Sequence, residues 1–201
     1  DIVDTWSSMA GIGFNQAGHE KFAEPGRWND PDMLVVGRVG WGPQLHPTRL
    51  TADEQYTHIS LWSLLSAPLL IGCDMNKLDA FTLSLLTNDE VIATNQDPLG
   101  RQASRIANDN GRQIWVKEME DGSKAVGFFY ADDGKRNPVD YFSWGKRGNT
   151  KITLKAADIG IKGKFKARDV WRQKDLGVFN DEFTVEVPYH GVVLVRVMKV
   201  D

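Results

Sequence analysis

The stretch Trp28-Asn29-Asp30-Pro31-Asp32-Met33-Leu34-Val35-Val36-Gly37 decides how the first half of this chain is read. It sets two carboxylates two positions apart around a proline and then runs straight into apolar residues. In extended backbone, residues two apart face the same side, and Pro31 stiffens the link between them. Asp30 and Asp32 are therefore expected on one surface. Two acids aimed from a stiff support suit acid–base or sugar-binding chemistry. Asn, Asp and Pro also build turns through local hydrogen bonds, and on spacing alone a turn is the stronger expectation.

Outward from this stretch, strand-like and helical segments alternate. Met33 to Val36 resembles Leu69-Leu70-Ile71-Gly72-Cys73, a short continuous apolar run expected of a strand buried on both faces. Between them, Thr51-Ala52-Asp53-Glu54 is a capping box, and Tyr56, Ile59, Trp62 and Leu65 follow at helical spacing until Pro68 ends the helix. Leu78 to Leu86 returns to helical periodicity, and Thr87-Asn88-Asp89-Glu90 offers a second capping box. Strand, helix, strand, helix is the grammar of a parallel sheet covered by helices.

Beyond Asn95-Gln96-Asp97-Pro98-Leu99-Gly100 the grammar changes. Strands are expected at Gln113 to Lys117 and Ala125 to Tyr130, with Glu120 to Ser123 as the turn between them. Further strands are expected at Val139 to Phe142, Lys151 to Leu154, Phe165 to Trp171, Phe183 to Val187 and Val192 to Val197. This half reads as an antiparallel sandwich whose core Trp115, Trp144 and Trp171 are expected to fill. The boundary falls near residues 98 to 106, giving one domain over 1–100 and another over 101–201.

The chain has 201 residues and a net charge of -3, with no basic stripe, so a nucleic-acid partner is not expected. No apolar run approaches the roughly 18 residues a membrane helix needs. A lone Cys73 cannot form an internal disulfide. The opening Asp1-Ile2-Val3-Asp4-Thr5-Trp6 lacks the features of a secretion signal and starts like the interior of a folded segment, so an upstream portion is expected.

Candidate chemistry lies in Asp1 with Asp4, Asp30 with Asp32, and Asp74. His19, His46, His58 and His190 lack metal-ligand spacing and read as structural or surface residues. No metal or cofactor is expected, and no phosphate-binding glycine loop is present. Asp74 stands at the end of an apolar run, where an acid in a barrel is a candidate by position, although a cap is the simpler role. Asp97 beside Pro98 reads as a turn at the domain junction.

Trp28 to Gly37, Ala67 to Asp74 and Asn88 to Gly100 resemble three successive signatures of glycoside hydrolase family 27, the α-galactosidase (melibiase) enzymes. Ala167-Arg168-Asp169-Val170-Trp171 and His190-Gly191-Val192-Val193-Leu194 are similar to that family's C-terminal β-domain. The resemblance implies the C-terminal portion of a (β/α)8 TIM barrel followed by an antiparallel β-sandwich. It also implies retaining hydrolysis of α-D-galactosides and a secreted or periplasmic location. β-L-Arabinopyranosides and α-N-acetylgalactosaminides stay open as substrates, and so does a non-catalytic carbohydrate-binding module centred on residues 105 to 201. By the resemblance, Asp1 is the general acid/base, Asp32 and Met33 line the sugar pocket, and Asp30 supports them. The nucleophilic Asp lies upstream, so the chain is expected to be inactive without the N-terminal half of the barrel. The segment Arg38 to Leu50 is longer than the corresponding loop of familiar members. It should leave the active-site face, where Trp41 or His46 would contact the leaving-group side of a substrate. Trp41 anchoring the loop onto the barrel is the competing expectation. Oligomeric state is left open.

Overall fold

The computed structural model describes residues 1–131 and 148–200. The expected strand at Val139 to Phe142 and Trp144 lie outside the described residues. The first half contains helices α1 (Trp6–Phe14), α2 (Ala52–Leu64), α3 (Ala80–Leu86) and α4 (Asp89–Asn95), with a small hairpin of β1 (Arg38–Val39) and β2 (His46–Pro47). The capping box on α2 forms as its sequence dictates: Thr51 accepts from the Glu54 N–H, and Glu54 accepts from the Thr51 N–H. The second expected box does not form. Asn88, one residue later, caps α4 by accepting from the Val91 N–H, while the Thr87 hydroxyl bonds back to the Leu83 carbonyl.

The strand-like runs pair in parallel at a single bridge, Leu34 with Ile71, where the Leu34 N–H donates to the Leu70 carbonyl and the Gly72 N–H to the Leu34 carbonyl. Leu69 to Cys73 is not buried on both faces, because Leu70 and Ile71 are exposed. Their backbone bonds run to Leu34 on one side, and no described helix covers them.

The second half is antiparallel throughout. Its larger sheet runs β3 (Ser104–Asp109), β4 (Arg112–Glu118), β5 (Lys124–Tyr130), β10 (Val192–Lys199), β7 (Lys164–Asp169) and β8 (Lys174–Asn180) in spatial order. A two-stranded sheet of β6 (Thr150–Lys155) and β9 (Glu182–Val187) packs on it. Period-two alternation sorts the side chains. Ile114, Val116, Val126, Phe128, Val195 and Val197 fill the space between the sheets. Trp115, Ala125, Phe129 and Leu194 point the other way and share a core with Leu61, Trp62, Leu64 and Leu65 around α2.

Trp115 and Trp171 therefore do not fill the sandwich core. Trp115 is fully buried against the helical half, and the Trp171 indole N–H donates to the Ser60 hydroxyl of α2 at 2.8 Å. Polar links accompany them. Glu54 bonds His190 at 2.7 Å, and Arg168 makes a two-pronged contact with Glu90. Lys117, with no exposed surface, donates to the Ser66 hydroxyl and the Arg101 carbonyl. Burial pushes its ammonium down to about 8 although Asp97 opposes the shift. Asp97 itself accepts from the Leu99 and Glu120 N–H groups, a junction turn that also grips the β4–β5 hairpin.

Candidate active site

Each residue of the opening motif has a separate task. The Trp28 indole N–H donates to the Gly100 carbonyl at 3.0 Å, and the Asn29 amide donates to the His19 carbonyl and to Gln102. Those two residues fasten the motif to the segment joining the halves. Asp30 accepts from the Asp32 N–H at 2.9 Å, a local turn bond of the kind Asp favours. Asp32 has φ of 75°, a left-handed conformation uncommon outside glycine and found where surrounding structure imposes it. The segment is thus a turn rather than an extended strand. The same-side alternation of an extended strand therefore does not apply to Asp30 and Asp32.

The constraint on Asp32 comes from three sides. The Trp62 indole N–H donates to its carbonyl at 2.7 Å. One carboxylate oxygen accepts from the Met33 N–H at 2.7 Å, and the other accepts from the Ile2 N–H at 2.8 Å. These backbone donors, Met33 first, hold the Asp32 carboxyl below its ordinary range. Asp32 is consequently an ionised hydrogen-bond acceptor fixed beside the backbone of Asp1, which is exposed. Met33 is half-buried over Gly72, where an added Cβ would meet its sulfur at 2.7 Å, so the glycine admits that packing.

Asp4, three residues along from Asp1, is 5% exposed and anchors the long loop. Its carboxylate accepts from the Arg49 N–H at 2.9 Å, from the Arg49 guanidinium through two nitrogens, and bonds His46 Nε2 at 3.2 Å. Burial alone would raise its pKa, but the Arg49 and His46 contacts hold it at about 2. His46 Nδ1 lies 2.9 Å from the Gln44 carbonyl, so the ring ties the loop to Asp4 while 44% of the side chain stays exposed. Trp41 does face outward, with 84% of its surface exposed. It lies between Gly40 and Gly42, both at positive φ. An added Cβ on Gly40 would meet the Gln44 carbonyl at 2.7 Å, so the tight return of this loop depends on the glycine.

The remaining candidates lie elsewhere. Asp74 caps the short turn Met75–Lys77 by accepting from the Asn76 N–H. His58 is buried in α2 and accepts from the Val35 N–H at 3.0 Å, which fixes its proton on Nδ1. Burial lowers its pKa to about 3. His190 stacks on Trp6 with ring centroids 3.7 Å apart. Among the described residues no cluster of His, Cys, Asp and Glu is arranged for a metal ion. Arg49 and Trp62 had no local signal, because their partners are 45 and 30 positions away.

Residues 1–97 match the family model described as alpha galactosidase A, and residues 109–197 match the alpha galactosidase C-terminal beta sandwich domain. A probable alpha-galactosidase of Dictyostelium discoideum is 38% identical over 96% of this chain and 46% of its own length. Among solved structures, the fold is similar to a GH27 β-L-arabinopyranosidase from Geobacillus stearothermophilus. The TM-score is 0.85 at 29% identity, over 100% of this chain and 43% of that one. It is also similar to alpha-galactosidase I from Mortierella vinacea, with a TM-score of 0.80 at 28% identity over 96% of this chain and 45% of that one. The chain spans less than half the length of these relatives.

Proposed function

The chain belongs to glycoside hydrolase family 27, the α-galactosidase family, and from that premise we propose that the protein carrying it removes terminal α-D-galactose from galactosides by double displacement. In this reading Asp1 protonates the leaving oxygen and then serves as base for water. Asp32 accepts a sugar hydroxyl, Met33 packs against the ring, and Asp30 holds Asp32 in its turn. The Ile2–Asp32 hydrogen bond carries the reading, because it binds the backbone bearing the proton donor to the fixed acceptor.

Retention needs a second carboxyl about 5 to 5.5 Å from the first. The acids beside Asp1 are already committed: Asp32 to two backbone N–H groups and Asp4 to Arg49 and His46. By the family resemblance the nucleophile comes from another segment of the barrel, so purified residues 1–201 should not turn over an aryl α-galactoside. Turnover by this chain alone would overturn the assignment. In the complete protein, Asp1→Asn should lower kcat/KM about 10²- to 10⁴-fold on alkyl galactosides, and far less on nitrophenyl galactosides, whose leaving group needs no proton in the first step. Equal losses on both would remove Asp1 from the acid role.

A second reading is β-L-arabinopyranoside hydrolysis, favoured by the fold similarity to the Geobacillus enzyme. The two sugars share their ring hydroxyls and differ at C6. Comparing nitrophenyl α-D-galactoside with nitrophenyl β-L-arabinopyranoside decides between them.

A further inference from the structure

We infer that Trp41 is a stacking platform for a sugar on the leaving-group side of the scissile bond, which directs the enzyme toward galactosyl oligosaccharides. The inference rests on the reading of Asp1 given above.

The loop from Arg38 to Leu50 follows the Leu34 bridge and is tied down along its length. β1 pairs with β2, the Thr48 N–H donates to the Gly37 carbonyl, and the Asp74 N–H donates to the Arg38 carbonyl. Asp4 then joins His46 and Arg49 to the segment that carries Asp1. The loop thus stands beside the candidate proton donor as a fixed wall.

From this wall one large apolar side chain projects. Trp41 is the most exposed of the described large hydrophobic residues, whereas the His46 ring lies against Asp4 and the Gln44 carbonyl. An indole has only two rotatable side-chain bonds and so loses little conformational freedom on contact, and its apolar face suits the C–H face of a pyranose ring. The proton donor of a glycosidase must lie on the leaving-group side of the bond. Because Asp4 ties the loop to the segment that carries Asp1, the proposal places Trp41 at the aglycone, and a sugar aglycone is the occupant that an exposed indole suits there.

The test uses the complete protein carrying this chain. Trp41→Ala should leave kcat/KM on α-D-galactosyl fluoride, whose leaving group has no ring to stack, within about twofold, and lower it roughly tenfold on an α-1,6-galactosyl trisaccharide, chiefly through KM. Trp41→Phe should recover most of that loss. Equal losses on both substrates, or no loss on either, would overturn the inference. So would a change in oligomeric state on size-exclusion chromatography, which would make Trp41 a contact between copies. Failure of the parent enzyme to cleave either substrate would instead overturn the reading of its activity.

Discussion

Two buried side chains, His58 and Asp4, contribute to how the protein responds to acid, beside the other carboxyls held below their ordinary range. Folded His58 titrates at about 3 against an ordinary 6.5. Between those values the unfolded chain binds a proton that the folded protein does not, so stability falls as pH drops from about 6.5 toward 3. Asp4, depressed from 3.8 to about 2, adds a loss over that lower window. The thermal midpoint should therefore decline in two stages on acidification. His58→Gln should flatten the first stage and leave the second; an unchanged profile would show that His58 does not titrate this way. At this scale the sequence was informative about local bonds and silent about distant ones. Asp30, Asp74 and Asp97 make the turn and cap bonds their neighbours suggest. The Asp4–Arg49 and Trp62–Asp32 bonds join positions that no periodicity links.

Among the elements, α2 touches almost everything that matters. It is capped by its own box, holds Asp32 through Trp62, meets His190 through Glu54, and packs across the large sheet at Gly127. A Cβ at that glycine would come within 2.6 Å of Leu64 Cδ1 and 2.5 Å of Phe129 Cε2. Gly127→Val should therefore lower stability by about 1–3 kcal/mol, measurable by denaturant titration. The strands missed from sequence, β3 and β8, are the two edges of the large sheet. Their side chains are mostly solvated, so they lack the apolar pattern that revealed β4, β5, β9 and β10. β7 and β9 were legible by alternation with one solvated face, and β4 and β5 as continuous apolar runs because both of their faces are covered. The same fact hid which core each tryptophan enters, since a run such as Ile114-Trp115-Val116 feeds one core with its flanks and the other with its centre.

For the whole molecule, fold class and order of parts were legible, but the degree of fusion between the halves was not. Trp115, Ala125, Phe129, Val170 and Leu194 belong to the same apolar cluster as Leu61, Trp62 and Leu64. Residues 1–98 alone would expose this surface of α2 in addition to Leu70 and Ile71, which are exposed already. They should show no cooperative monomeric melt, and a sharp one would contradict the shared core. Connectivity within the large sheet has a different bearing, on assembly in time. β10 lies between β5 and β7, pairing Val193 with Phe128 on one side and Arg196 with Arg168 on the other. During synthesis on a ribosome, strands β3 to β5 and β7 to β8 emerge as separate hairpin groups with a gap between them. Only when Val192 to Lys199 has left the exit tunnel can the gap close, so the large sheet stays unzipped from the emergence of its first hairpin until its last strand arrives.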